Sequence, residues 1–86
     1  NLRTFQYFLT VCETGTFHAA ARKLYITPQS ISERINRLEK DIGVPLFYRE
    51  IPLRLTEAGR YMKKAAEQID AALKDLDRNL IACKSI

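Results

Sequence analysis

The stretch of residues 16–43, TFHAAARKLYITPQSISERINRLEKDIG, constrains this chain most, because it predicts two helices joined by a tight turn. The first helix should cover residues 17–24, and a connector at 25–27 has the length found between the helices of a helix-turn-helix. Thr27 and Pro28 are typical of an N-cap and a first helical position, so the second helix should begin there. Its apolar residues recur at helical spacing and form one face: Ile31, Ile35, Leu38 and Ile42.

The opposite face of this second helix is polar. It carries Gln29, Glu33, Asn36 and Lys40, flanked by Ser32 and Arg37. Amide side chains can pair with adenine, a glutamate can accept from the N4 amino group of cytosine, and a serine can do either. The short polar side chains concentrate at the start of the helix, which is the end that approaches base edges in the major groove. A solvated helix face fits the same composition, so the pattern alone leaves both interpretations open.

Two short strands are predicted after this pair of helices, at residues 47–49 and 53–55, around a turn at 50–52. A two-stranded ribbon is marginal alone, so it should pack against the helices as a wing. Arg49 and Arg54 would then meet phosphates or reach a minor groove.

Two further helices should flank this unit. The first, capped by Asn1 and ended by Gly15, has one apolar stripe and is expected to serve as core packing. The last should follow its cap, Thr56, and continue to about residue 83 with apolar steps of four and three residues, which is a heptad seam. The seam consists of Met62, Ala66, Ile69, Leu73, Leu76, Leu80 and Cys83. It predicts a partner helix, most simply from a second copy in either orientation, unless it folds back on its own domain.

Charge is concentrated in the middle of the chain. The net charge is +4, and residues 22–64 alone hold ten basic and five acidic side chains. A local basic excess is typical of a protein that binds a polyanion, because neutralised phosphates release counterions. A solvated surface with a slight basic bias is the alternative.

Other classes of protein are disfavoured. No apolar run approaches the ~20 residues of a membrane span. The single histidine, His18, has no arranged carboxylate or cysteine, and the sequence contains no nucleophile–base pair, metal-ligand spacing or phosphate-binding glycine loop, so an enzyme is not expected. Cys12 and Cys83 should be free thiols in a reducing cytoplasm.

Taken in order, these segments extend from residue 17 to residue 59: FHAAARKL, the serine-containing helix that begins at Pro28, RLE, IG, LFYR and LTEAG. In this order and spacing they resemble the N-terminal DNA-binding domain of LysR-type transcriptional regulators. The resemblance implies a mainly α fold: a winged helix-turn-helix with a three-helix core and a two-stranded wing at residues 1–58, then a dimerisation or linker helix at 59–86. It implies double-stranded DNA as partner and a homodimer, or a tetramer at full length. No cofactor is expected in this part, which would be a fragment lacking a C-terminal domain for a small-molecule effector.

The resemblance, the polar face of the helix and the heptad seam together assign residues to roles. Bases would be read by Thr27, Pro28, Gln29, Ser30, Ser32, Glu33 and Asn36. The DNA backbone would be met by Arg34, Arg37, Arg49, Pro52 and Arg54. The partner subunit would be met by Met62, Ala66, Ile69, Leu73, Leu76 and Leu80.

Three departures from the usual family pattern bear on this assignment. Gln29 is shifted by one residue, Glu33 replaces a frequent basic residue, and Ile51 lies where the wing is often basic. Glu33 would oppose binding to phosphates unless it paired with Arg37, four residues later. The preferred bases therefore do not carry over from the family.

Overall fold

A computed structural model describes residues 2–84. In chain order the elements are α1 (Leu2–Thr14), α2 (Phe17–Leu24), α3 (Pro28–Ile42), β1 (Phe47–Tyr48), β2 (Arg54–Leu55) and α4 (Glu57–Lys84). This confirms the predicted winged helix-turn-helix followed by a long helix. The cap predicted at Asn1 lies outside the described residues.

Local side-chain signals set the ends of the helices. The side-chain oxygens of Thr16 and Thr27 each accept a hydrogen bond from the backbone N–H three residues later, at 3.0 and 3.1 Å. Thr16 and Thr27 thereby cap α2 and α3. Gly15 and Gly43 have positive φ angles of 83° and 84°, the left-handed conformation that ends a helix at little cost for glycine. Tyr25 adopts the same conformation, with φ of 58°, in the turn of the helix-turn-helix. The caps predicted at Thr16 and Thr27 and the helix ends predicted at Gly15 and Gly43 are therefore confirmed.

The wing is shorter than predicted. Phe47 pairs with Leu55 and Tyr48 with Arg54, so the ladder is antiparallel and two residues long in each strand. Arg49 and Leu53, which the sequence suggested as strand residues, lie outside it. Leu53 instead donates its backbone N–H to the carbonyl oxygen of Gly15 at 2.7 Å, which attaches the end of the wing to the α1–α2 turn.

The core lies where the helices and the wing meet. Its buried members are Phe8, Val11, Ala20, Ala21, Ile31, Ile35, Leu46, Phe47 and Ala66. Small residues on α2 allow α1 and α3 to approach closely, and the rings of Phe8 and Phe47 lie 5.4 Å apart between centroids. The sequence-predicted apolar faces of α1, α2 and the start of α3 therefore meet in one cluster.

The beginning of α4 belongs to this core. A Cβ on Gly59 would lie 2.1 Å from the carbonyl oxygen of Leu46, so only glycine allows this approach. Met62 packs on the cluster, and Ala66 is fully buried in it. The assignment of Ala66 to a partner interface is therefore wrong for this fold, because the residue has no surface left to offer. These contacts also lie beyond the boundary at 58 and 59 that the sequence suggested.

We call residues 2–66 the head and residues 67–84 the distal helix. The described chain measures 50 × 26 × 20 Å, with α4 unbroken along its 28 residues. The alternative in which the seam packs on its own domain is thus observed for Met62 and Ala66, at the start of α4, whereas the rest of the helix does not fold back. In the distal helix Leu76 and Leu80 remain 52% and 49% exposed.

Candidate nucleic-acid interface

The start of α3 lies on the surface of the head. Thr27, Gln29, Glu33 and Asn36 are exposed, whereas Pro28, Ser30 and Ser32 are half-buried. The helix is fixed from behind by Ile31 and Ile35, which are fully buried. A rigid helix therefore presents the polar residues that the sequence assigned to base reading.

Glu33 bonds along the helix in a way the sequence did not predict. Its carboxylate accepts a hydrogen bond from the side-chain amide of Gln29 at 3.3 Å. Within residues 2–84 no ion pair joins it to Arg37, although both line one shallow surface depression. The Glu33–Arg37 pair that would have offset the repulsion between Glu33 and phosphates is therefore not formed, because the carboxylate turns toward Gln29 at the start of the helix.

Arg49 connects the wing to α3. Its guanidinium donates to the side-chain oxygen of Asn36 at 2.8 Å, forms an ion pair with Glu39 and lies 5.1 Å from the ring centroid of Phe17. These contacts neutralise and orient a cation that the sequence treated as a free phosphate ligand. The main role of Arg49 is therefore to connect the wing to α3, the two elements that carry the interface.

Glu39 completes this link and was missed by the sequence reasoning. Its Oε2 atom accepts from the backbone N–H groups of Leu46 and Phe47, at 2.6 and 3.3 Å, so it holds the chain as it leaves α3 for the wing. The available signal was the pair of segments RLE and LFYR, which the structure brings together through Glu39 and Arg49.

The tip of the wing is largely apolar, and the charge of its arginine is partly neutralised by an ion pair. Arg54 pairs with Glu50 at 3.1 Å and lies 4.7 Å from the ring centroid of Tyr48. Ile51 is 92% exposed, and the exposed Pro52 follows it through a cis peptide bond. The wing therefore offers apolar surface and one paired cation.

The basic residues of α3 differ in their surroundings. The Arg34 guanidinium lies 4.8 Å from the ring centroid of Tyr7, which holds it against α1. Arg37 and Lys40 are exposed, and no carboxylate among residues 2–84 forms an ion pair with either. These two are the α3 cations most available to an anion.

Residues 2–84 lack the features of a metal site or a membrane-spanning helix. This part of the chain contains no group of three or more metal-ligating side chains and no helix long and apolar enough to cross a membrane. His18 is exposed, and Cys12 and Cys83 are free thiols.

Comparison with known proteins agrees with this geometry. The chain is 38% identical over 78 residues to a probable RuBisCO transcriptional regulator of Emiliania huxleyi, which covers 90% of this chain and 25% of that protein. It superimposes on the crystal structure of a BenM_DBD/catB site 1 DNA complex with a TM-score of 0.90 and 28% identity, covering 100% of this chain and 96% of the other. The TM-score is also 0.90, at 28% identity, against full-length LysG of Corynebacterium glutamicum with bound effector Arg, covering 95% and 28% of the two chains.

The chain spans 23 to 27% of the length of three of the curated relatives it matches. Over residues 2–60 it matches the sequence model of the bacterial regulatory helix-turn-helix proteins of the lysR family. That match covers more than half of the chain and contains α2, α3 and the wing. The chain therefore belongs to the lysR family of bacterial regulatory helix-turn-helix proteins.

Proposed function

We propose that this chain is the DNA-binding part of a transcription regulator, with α3 in the major groove of double-stranded DNA and the wing at the minor groove or the phosphates. The observation that carries the proposal is the start of α3, an exposed polar helix end held rigidly over a buried core. An α-helix fits the major groove, and residues near its N-terminus reach base edges.

Phosphate contacts would come chiefly from Arg37 and Lys40, because no intramolecular carboxylate pairs with either among residues 2–84. Arg54 is exposed and can exchange its carboxylate partner for a phosphate, since surface ion pairs are weak. Pro52 and the apolar Ile51 would lie nearest the groove at the wing tip. Arg49 contributes mainly by holding the wing at α3.

Duplex DNA titrated at two salt concentrations tests the proposal. The logarithm of the association constant should fall with the logarithm of salt concentration by about 0.9 for each phosphate neutralised. Arg37→Ala should reduce this slope by about 1, because one phosphate contact is lost. Arg78→Ala on the distal helix is the matched control and should leave the slope unchanged. Binding that does not depend on salt would contradict the proposal.

Dimerisation belongs to the same proposal. The distal helix leaves Leu76 and Leu80 half exposed on the heptad seam, and a second copy of the helix would cover them. Met62 lies at the border of this surface, while Ile69 and Leu73 are half-buried within the protomer. A dimer would place two reading helices on successive turns of DNA.

The rest of the regulator is proposed from its relatives. The solved structure of full-length LysG contains a bound effector Arg, which supports a small-molecule effector site outside the residues present here. The second candidate function is a protein-interaction module that uses the distal helix, favoured by the same exposed leucines. The titration separates the two, because only the DNA-binding function predicts salt-dependent affinity for duplex DNA.

A further inference from the structure

Glu33 is the acidic residue nearest the start of α3. Its side chain is exposed and accepts one hydrogen bond, from the Nε2 atom of Gln29 at 3.3 Å. No lysine or arginine among residues 2–84 forms an ion pair with it. Since a carboxylate has about four acceptor sites, most of its hydrogen-bonding capacity stays directed outward from α3.

An outward carboxylate distinguishes among the individual bases that it faces, by repulsion as well as by attraction. In the major groove guanine presents two acceptors and thymine presents the acceptor O4, so both repel a carboxylate. Adenine offers its N6 amino group beside the acceptor N7. Cytosine offers its N4 amino group without a neighbouring acceptor on the same base. We propose that Glu33 specifies a cytosine through its N4 amino group and that Gln29 positions the carboxylate; this rests on the proposed DNA-binding function.

The proposal explains how an acidic residue serves an interface with a polyanion. Glu33 opposes the approach of every phosphate backbone, which lowers the affinity for all sequences. The opposition is offset only where the carboxylate accepts a hydrogen bond from a base. Glu33 therefore increases specificity mainly by weakening binding to wrong sites.

Gln29 acts through Glu33 in this arrangement. One N–H of its amide is committed to the carboxylate, which fixes the Glu33 side chain along the helix one turn away. Without that bond the carboxylate would sample other rotamers, and discrimination would weaken at the same base pair. Gln29 is thus a positioning residue for the contact made by Glu33.

Selection from a randomised duplex DNA library, followed by titration of the selected site and its single-base variants, tests this inference. The wild-type chain should prefer cytosine to thymine at one position of each half-site by about 5- to 150-fold, the range of one specific base contact. Glu33→Gln should move the preference at that position from cytosine to adenine, because an amide can pair with adenine N6 and N7. Asp41→Asn, at the other end of α3, removes the same charge and should leave the selected sequence unchanged.

Gln29→Ala tests the positioning role. It should reduce the cytosine preference at the position that Glu33→Gln changes, and at no other. Relaxation at a different position would show that Gln29 reads its own base and would overturn that role.

An unchanged selected sequence for Glu33→Gln would overturn the cytosine contact. The absence of salt-dependent binding by the wild-type chain would instead refute the proposed function. Both substituted side chains are exposed, and circular dichroism checks that the helices are retained.

Discussion

The head buries many of its apolar side chains, whereas the distal helix leaves its apolar side chains partly or largely exposed. All nine buried apolar residues among residues 2–84 belong to the head, and Ala66 is the last of them along the chain. In the distal helix no described residue is buried, and Leu76, Leu80 and Ile81 are each about half exposed or more. The same continuous helix, α4, passes from one condition to the other.

This difference separates two sources of stability. The head buries its apolar surface within one chain, so its folding free energy should not depend on protein concentration. The distal helix leaves apolar surface to water, and an isolated helix of this kind gains most of its stability from packing. Its order should therefore depend on association, which makes it concentration-dependent.

Phe8→Ala should have the largest effect on the head. The fully buried ring contacts the ring of Phe47, and its removal should cost about 3–5 kcal/mol of the free energy of unfolding. Urea unfolding at two protein concentrations measures this loss, which should be the same at both. Tyr61→Ala is the control, because that ring is 71% exposed. A loss that disappeared at high concentration would show that the head also needs a partner.

Leu80→Asp should affect only association. Half of the Leu80 side chain would be newly buried from each subunit, so the loss should be at least about 2 kcal/mol, or about 30-fold in the dissociation constant. Sedimentation measures the constant, and Asn79→Asp adds the same charge at the adjacent position outside the predicted seam. A wild-type chain that stays monomeric at high concentration would remove the dimer from the proposal.

The sequence predicts most of the head because its signals are local. Thr16 and Thr27 cap helices through hydrogen bonds that span three residues, and Gly15 and Gly43 end helices through their own φ angles. Such interactions depend on sequence neighbours alone. The apolar faces of the helices can also be predicted locally, from the spacing of their apolar residues.

The errors concern interactions between distant segments. Arg49 meets Glu39 and Asn36 across the junction of α3 and the wing, and no periodicity encodes that contact. Ala66 continues the heptad spacing, yet the close approach at Gly59 turns this part of α4 onto its own core. A seam pattern specifies that a residue is covered, but the packing of the whole fold decides which chain covers it. The base preference at the start of α3 depends on side-chain rotamers, so it likewise cannot be predicted from the spacing of residues in the sequence.

Glu39→Gln tests how the wing is held in the head. The amide oxygen can still accept from Leu46 or Phe47, but the ion pair with Arg49 is lost. A charged acceptor is stronger than a neutral one, so we expect a loss of about 1 kcal/mol in the free energy of unfolding. Hydrogen exchange of the Leu46 and Phe47 amides should increase, while the distal helix should be unaffected. Unchanged exchange at both amides would show that the carboxylate does not hold this segment.

The smallest expected effect concerns the two cysteines, one in the head and one in the distal helix. Cys12 is half-buried on α1, next to the part of α4 that carries Lys63 and Glu67, whereas Cys83 is exposed near the end of the distal helix. Burial raises the pKa of the Cys12 thiol from 9.0 to about 11, with Glu67 also raising it and Lys63 opposing. The folded state therefore holds this proton at pH values where the unfolded state has lost it.

Below pH 9.0 both states keep the thiol proton, so the contribution of Cys12 to stability is complete there and is lost as the pH rises to about 11. The free energy of unfolding of the wild-type chain should fall between about pH 9 and about pH 11 more steeply than that of Cys12→Ala. Cys83→Ala, which removes the exposed thiol of the distal helix, is the matched control. If Cys12→Ala kept the wild-type slope, then α1 and α4 would not shield the Cys12 thiol as the packing of the head requires. Equal slopes would therefore move the boundary of the self-sufficient head back toward the start of α4.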